Sequence, residues 1–402
     1  MYLSVLANPP SIIFGIITYI VCGLVVTGLA RLTKAEFPNT KNRLHNIDGL
    51  RGLLATGVFL HHFVITYYMH ATGEWTAPPT RFYALLGSTC VALFFMITGF
   101  LFTQKLAAKD GHINWLSLYI SRIFRLVPLY WFAVAVVITI VFIVGGIELN
   151  VPLKSLAKQI LYWLTFSEYP NINKFNLTYR IVAGVLWTLK YEWLFYLSLP
   201  ILAIFIIINK KIPVALWILA GIILWFHFQP YYSETLFVST NYLIYFLCGG
   251  LGASLARNEK LVPFARHYLT SIIAIVSLAL AFILFEAEYT FGQAIFLTIF
   301  FIPVAMGNSM FGILTTRMLG LLGEISYSVY ILHGILLYVA FTLLFPNIMN
   351  PGTSLLVFYL LMEISGIALI IITWITYSLI EKPFIDLGIK FSNLIFKRNE
   401  AS

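Results

Sequence analysis

The sequence predicts an all-α, polytopic integral membrane protein with about eleven transmembrane helices. Of the 402 residues, 60% are hydrophobic and only 10% are charged, whereas about a quarter of the residues in a soluble globular domain carry a charge. Apolar runs long enough to cross a bilayer recur from one end of the chain to the other. The basic residues stand mainly in the short segments between these runs.

Each predicted span is a mostly apolar run of roughly 17 to 25 residues, the length that crosses the hydrocarbon core as a helix. The first run, "SIIFGIITYIVCGLVVTGLA", has no basic residue before it and a basic cluster after it. We therefore interpret it as a membrane helix and not as a cleaved signal peptide. No soluble domain and no repeat of fixed period are expected. The predicted spans are residues 11–30, 49–69, 83–104, 127–147, 184–208, 212–228, 237–256, 270–286, 291–313, 325–345 and 355–380.

The distribution of basic residues predicts the orientation of the chain. If the N-terminus is outside, the inner segments hold most lysines and arginines, and the short outer loops hold only Arg81. The outer loop 148–183 is also basic, but long loops weigh little in this rule. Its amphipathic stretch "LKSLAKQILYWLTF" is expected at the outer interface. We therefore expect an outer N-terminus and a cytoplasmic C-terminus. The net charge of +9 is then explained by the basic residues that set this orientation, and it does not indicate nucleic-acid binding.

The cysteines give no sign of a metal site. Cys22, Cys90 and Cys248 all lie inside apolar runs, without the spacing of metal ligands. We interpret them as buried apolar thiols. A thiol nucleophile that accepts an acyl group is the alternative.

The second span carries two ionisable residues on one helix face. Arg51 and His62 are eleven residues apart, which is about three full turns plus 20°, with roughly 16 Å between them along the axis. His61 points about 80° away from Arg51, so His62 is the better partner. Asp48 is expected just before the helix, as its N-cap. Ionisable groups are costly in a bilayer, which favours a functional pair. The alternative is that Arg51 extends to the lipid head groups and His62 bonds a neighbouring helix.

Two later spans also hold polar groups. In "WTLKYEWLFYLSLP", Glu192 lies between Trp187 and Tyr196, and Lys190 is two residues away. Residues two apart do not face each other on a helix, so we expect a partner for Glu192 on another helix. In "LGEISYSVYILHGI", His333 follows Tyr330 by three residues. A histidine satisfied within the core is the main alternative to a functional role for His333.

A pair of arginines precedes the fourth span, in "YISRIFRLVPLYWF". Arg122 and Arg125 are three residues apart and share a helix face. We expect the helix of this span to begin at Pro128, since proline is favoured in the first helical turn. The arginines are interpreted either as positive-inside anchors or as a clamp for phosphate groups, which arginine binds through two parallel hydrogen bonds.

Six motifs in order resemble those of the acyltransferase-3 family of membrane O-acyltransferases. The first, "IDGLRGLLATGVFLHH", contains the arginine, ten residues and histidine of that family as Arg51 and His62. The others are "FFMITGFLFTQKL", "YISRIFRLVPLYW", "WTLKYEWLFYLSLP", "ISYSVYILH" and "IEKPFI". The resemblance covers residues 46–386. It leaves residues 1–45 as an extra N-terminal helix and loop before a ten-helix core, and residues 387–402 as a short cytoplasmic tail.

The resemblance implies transfer of an acyl group, most commonly acetyl, from cytoplasmic acyl-CoA to a hydroxyl of a carbohydrate. A surface polysaccharide or its lipid-linked precursor is the expected acceptor, and the bacterial inner membrane the expected location. The implied catalytic residues are His62 as base, Arg51 and Glu192. Arg51, Arg122 and Arg125 are expected to bind acyl-CoA. Trp187, Tyr196, Tyr330 and His333 are expected to bind the acceptor or orient His62. No bound cofactor and no metal are expected.

The chain differs from the family pattern in three respects. It has the extra first span, and Lys190 lies within the glutamate motif where an acidic or small residue is more usual. The extracytoplasmic domain fused to some members is not expected, so transfer would be completed by the membrane domain or with a separate extracytoplasmic transferase. A carrier or flippase of a polar or glycan substrate is the alternative function, since it also needs buried charges and many helices.

Overall fold

The computed structural model describes residues 5–6, 10–35, 43–209, 240–286 and 288–399. The predicted span 212–228 lies outside these ranges, as does the start of 237–256. The regular elements of the described residues are helical. They are α1 Ile12–Leu32, α2 His45–Thr72, α3 Arg81–Ala108, α4 Trp115–Gly145, α5 Leu153–Leu164, α6 Trp187–Asn209, α7 Thr240–Ala256, α8 Tyr268–Ile283, α9 Phe291–Ala305, α10 Arg317–Glu324, α11 Ser326–Tyr338, α12 Leu355–Thr376 and α13 Lys382–Asn399, with single turns at Ile172–Lys174, Thr178–Val182, Val262–Ala265 and Ile313–Thr315.

The all-α, membrane-spanning prediction is confirmed. Within the described residues, six helices are long and apolar enough to cross a bilayer, and α7, α8 and α9 are shorter apolar helices. Two of the six continue through a turn of π-helix, at Val339–Leu344 after α11 and at Tyr377–Glu381 after α12. The helices α2 and α3 form the centre of the bundle, because 83% of the most apolar stretch of each helix is buried. The corresponding share for α1 is 28%.

Some predicted boundaries are wrong. The helix α4 begins at Trp115 and not at Pro128, because Asn114 caps it with an Oδ1 that accepts a hydrogen bond from the Ser117 N–H at 3.0 Å. Pro128 lies inside α4, which membrane helices tolerate because neighbouring groups can satisfy the freed backbone. The predicted span 291–313 is also too long, since α9 ends at Ala305 and left-handed residues follow at Gly307, Met310, Phe311 and Gly312.

The region predicted as a tail forms most of α13, which packs against α4. Ser117 and Ser392 share a hydrogen bond of 2.7 Å, and the rings of Phe124 and Phe391 are 5.9 Å apart. The amphipathic stretch of loop 148–183 forms α5, which buries Leu156 and Trp163 and exposes Leu153 and Leu161.

Glycines bring the start of α2 into backbone contact with α10 and the turn before it. A Cβ at Gly323 would lie 2.0 Å from the Asp48 carbonyl oxygen, and one at Gly49 would lie 1.9 Å from the Leu314 carbonyl oxygen. No larger residue fits without a backbone shift. This contact holds the turn of α2 that carries Arg51.

We expect Gly323→Ala to lower the thermal unfolding midpoint of the detergent-solubilised protein, because overpacking a tight contact typically costs about 1–3 kcal/mol. The matched control is Gly28→Ala in α1, where an added Cβ meets nothing within 4 Å. There the substitution should be neutral or stabilising, since alanine is the better helix former. Equal shifts in the two variants, measured by scanning fluorimetry, would show that the α2–α10 contact is not tight.

Candidate active site

Two buried histidines from distant parts of the chain meet at the centre of the bundle. His62 Nδ1 on α2 lies 3.2 Å from His333 Nε2 on α11. The same His62 Nδ1 is 3.0 Å from the Val58 carbonyl oxygen, and His333 Nδ1 is 3.1 Å from the Val329 carbonyl oxygen. The residues are 9% and 0% exposed, so little water competes for these contacts.

These contacts assign the protons on both rings. A carbonyl oxygen only accepts hydrogen bonds, so His333 Nδ1 carries the hydrogen and His333 Nε2 offers a lone pair. The facing His62 Nδ1 is then the donor, shared between His333 Nε2 and the Val58 carbonyl. In a neutral imidazole this leaves His62 Nε2 without a hydrogen. Because no described residue forms a hydrogen bond with this atom, its lone pair is free to accept a proton.

His61 points to a different neighbour, as the helix geometry predicts. Its Nδ1 lies 2.6 Å from the Tyr83 carbonyl oxygen on α3. A Cβ at Gly87 would come within 2.5 Å of its ring. His61 therefore packs α2 against α3, and only its neighbour His62 contacts His333.

A cavity of about 140 Å³, which we call the arginine cavity, lies among α2, α3, α4, α6 and α11. Phenylalanines and leucines form much of its wall, and Ser326, Tyr327 and Thr188 add hydroxyl groups. The cavity gathers side chains that are far apart in the sequence. The residues singled out from the sequence that line it are Arg51, Arg122, Arg125, Glu192, Tyr196 and Tyr330.

Hydrogen bonds within the cavity wall orient its polar groups. The Tyr196 hydroxyl donates to Glu192 Oε1, one turn away on α6. This bond is local to α6, because residues four apart on a helix face each other. The Glu192 carboxylate also interacts electrostatically with Arg122 on α4, a partner on another helix. Tyr330 and Thr188 share a hydrogen bond of 2.8 Å between α11 and α6. The Arg122 guanidinium lies over the Phe102 ring, 5.4 Å from its centroid.

Three of the predicted site residues lie outside the cavity wall. His62 and His333 lie further along their helices, and Tyr330, which does line the cavity, has its ring centroid 6.1 Å from that of His333. Trp187 packs instead against Tyr242, at 4.6 Å between ring centroids. The structure therefore brings the arginines and Glu192 together in one group and the two histidines in another, with Tyr330 between them.

A network of charges at the start of α2 holds Arg51. Asp48 lies in the first turn of α2 and not before it, so the predicted N-cap role is wrong, and Leu44 occupies that position. Asp48 Oδ2 pairs with Arg43 Nε at 2.5 Å, and Asp48 Oδ1 is 3.8 Å from Arg51 Nη1. Arg43 also pairs with Glu324 on α10. Asp48 thus links Arg51 to Arg43.

Sequence reasoning missed the acidic residues near this network. The Glu324 carboxylate accepts a hydrogen bond from the Tyr377 hydroxyl at 2.6 Å. Burial raises the pKa of Glu324, but the hydrogen bonds from Tyr377 and Arg43 outweigh it, so the pKa is lowered overall. Glu381, only 1% exposed, accepts a hydrogen bond from Ser328 at 2.9 Å. In the sequence, each of these two glutamates could have been recognised as a lone acidic residue at the edge of an apolar run.

We searched the described residues for side chains that could bind a metal ion. Throughout the described ranges, no three side chains of histidine, cysteine, aspartate or glutamate come together as a set that could hold one.

Comparison with known proteins identifies related sequences. A family model described as "Acyltransferase domain" (Acyl_transf_3) matches residues 44–375. Nodulation protein 10 of Rhizobium leguminosarum bv. viciae is 29% identical over 170 residues, which are 39% of this chain and 44% of that protein. The chain thus spans less than half the length of this relative. No solved structure matches the chain.

Proposed function

Because the chain belongs to the acyltransferase-3 family, we propose that it moves an acyl group, acetyl in the first instance, from cytoplasmic acyl-CoA to a hydroxyl of a carbohydrate. The carbohydrate is a surface polysaccharide or its lipid-linked precursor. The observation that carries this proposal is the convergence of three arginines on one cavity that lies beside a histidine with a free ring nitrogen.

The arginine cavity suits the donor. Among the described residues that line it are Arg51, Arg122 and Arg125 but only one carboxylate, that of Glu192. Guanidinium groups bind phosphates through paired hydrogen bonds. A volume of about 140 Å³ is far smaller than CoA. We therefore propose that the arginines of this cavity hold the phosphates of acyl-CoA and that the arm bearing the thioester extends beyond the cavity toward His62.

Distance separates the role of Arg51 from that of His62. Eleven residues of helix separate them by roughly 16 Å along the axis, which is more than an arginine side chain can reach. Arg51 is therefore assigned to the phosphates of CoA and not to the oxyanion at the reacting carbonyl. The long arm of CoA between its pyrophosphate and its thioester spans such a separation.

His62 is the proposed base. Its Nε2 takes the proton of the acceptor hydroxyl as the oxygen attacks the thioester carbonyl, and the imidazolium then protonates the departing CoA thiolate. His333 keeps the His62 Nδ1 hydrogen in place and so leaves Nε2 free for this transfer. His333 is thus a positioning residue, and Glu192 with Tyr196 orients groups within the cavity.

This donor arrangement requires the arginine cavity to open toward the cytoplasm, because CoA is found there. We propose the orientation that the basic segments predict, with an outer N-terminus and a cytoplasmic C-terminus in a bacterial inner membrane. The acceptor then arrives from the opposite side of the histidine pair. A separate extracytoplasmic transferase that receives the acyl group is a further partner consistent with this proposal.

The test is acyl-CoA consumption by the purified full-length protein in detergent. With acetyl-CoA and a surface-glycan fraction from cells that lack the gene, free CoA should accumulate. Mass spectrometry should show that the glycan gains about 42 Da for each acetyl group that it receives. The matched control is the same reaction without glycan. A carrier or flippase would release no CoA in either reaction, and that result would contradict the proposal.

A further inference from the structure

A second cavity, which we call the tryptophan cavity, has a volume of about 220 Å³ and lies on the far side of the histidine pair. It is formed by the ends of α2 and α11 and by the loops that precede α3 and α6. Its wall includes the polar side chains of Thr66, Trp75, Asn176, Arg180, Tyr338 and Thr342.

The order of residues along two helices gives the position of this cavity. On α2, Arg51 lines the arginine cavity, His62 follows, and Thr66 and Met69 line the tryptophan cavity. On α11, Tyr330 lines the first cavity, and Gly334 and Leu337 line the second. The rings of His62 and Trp75 are 6.5 Å apart between centroids. The histidine pair therefore lies between the two cavities.

Arg180 is the cationic residue of the tryptophan cavity. Its guanidinium lies over the Trp75 ring, 5.7 Å from the centroid. Its Nε is buried and has no hydrogen bond partner, and no described carboxylate forms an ion pair with it. A buried donor left unpaired costs free energy, so an anionic group that enters the cavity would satisfy it.

The wall that carries Arg180 packs tightly on α11. A Cβ at Gly334 would lie 2.4 Å from the Val182 carbonyl carbon. Leu177 and Ala183, at the ends of the turn that holds Arg180, both adopt left-handed backbone, with φ of 58° and 51°. Such conformations are unfavourable for residues with a Cβ and persist where the surroundings enforce them, commonly at ligand sites. The position of Arg180 is therefore imposed by its packing.

We propose that the tryptophan cavity is the acceptor subsite and that it selects a saccharide bearing an acidic group, with the sugar ring on Trp75 and the acidic group on Arg180. The role as acceptor subsite depends on the proposed acyl transfer, whereas the preference for an acidic saccharide does not. Aromatic rings present flat apolar faces for sugars, and a guanidinium forms charge-assisted bonds with a carboxylate or phosphate.

The test measures binding and needs no turnover. Methyl β-D-glucuronide and methyl β-D-glucoside differ in one carboxylate, and ligand-observed NMR with the full-length protein gives their Kd values. We expect the glucuronide to bind at least about tenfold more tightly. Arg180→Gln should abolish this difference and Arg180→Lys should retain part of it. Lys154→Gln, which removes an exposed cation outside the cavity, should leave it unchanged.

Three results would overturn the proposal: equal Kd values in the unaltered protein, a difference that survives Arg180→Gln, or displacement of the glucuronide by phosphatidylglycerol micelles, which would indicate a lipid head-group site. The thermal unfolding midpoint of each detergent-solubilised variant, measured by scanning fluorimetry, serves as the check that it is folded. If the glucuronide preference depends on Arg180 but no acceptor supports CoA release, the anionic saccharide site stands and the proposed acyl transfer fails.

Discussion

Replacing His62 with alanine should lower kcat for acyl transfer by about 10²- to 10⁴-fold, the usual contribution of a general base. Donor affinity should change little, because the base acts in the transition state and His62 does not line the arginine cavity. CoA release under saturating acetyl-CoA gives kcat, and calorimetric titration of acetyl-CoA gives the donor Kd.

Two neighbouring histidines provide controls for this substitution. His61→Ala should reduce kcat less, since His61 bonds the Tyr83 carbonyl on the other side of the helix. His333→Phe removes the ring nitrogen that receives the His62 Nδ1 hydrogen, so its effect on kcat should be intermediate. Equal losses in His61→Ala and His62→Ala would reverse the assignment of the base. Loss of donor binding in His62→Ala would instead indicate that His62 binds acyl-CoA.

Replacing Arg51 with lysine should weaken acetyl-CoA binding by about ten- to hundredfold, the free-energy range of one charge-assisted hydrogen bond. Lysine keeps the positive charge but loses the planar pair of donors that grips a phosphate. Arg51 has a side chain only 19% exposed, near Asp48, so its geometry is constrained and a lysine cannot reproduce it. Titration of acetyl-CoA into the detergent-solubilised variant measures the effect.

Substitutions of three other arginines provide comparisons for the Arg51 variant. Arg122→Lys and Arg125→Lys should raise the donor Kd by smaller factors, since each is one of a pair on α4. Arg81→Lys is the matched control, because Arg81 pairs with Glu286 and does not line the arginine cavity. Its donor Kd should stay unchanged. If all three cavity variants bind acetyl-CoA like the Arg81 variant, the donor phosphates bind elsewhere.

Short-range features of the molecule followed from the sequence. The fold class depends on the length and composition of apolar runs, and the common face of Arg51 and His62 depends only on the helical repeat. Both are properties of neighbouring residues. The same reasoning placed His61 off that face, and the structure brings it to Tyr83 on α3.

Predictions failed where a local signal competed with a stronger one. Pro128 reads as a helix start, yet Asn114 caps α4 earlier and the bundle tolerates the proline within the helix. Asp48 reads as a cap, yet the helix begins at His45, so Asp48 lies in its first turn and pairs there with Arg43.

By itself, the sequence determined that this protein is an all-α membrane protein with an arginine and a histidine on one helix face. Only the tertiary structure decided that His333, 271 residues away, meets His62 and that Arg180 lies over Trp75 beside a second cavity. Helix periodicity fixes the direction of a side chain on its own helix. The neighbour that a side chain meets depends on how the helices pack, and no repeat in the sequence encodes that packing.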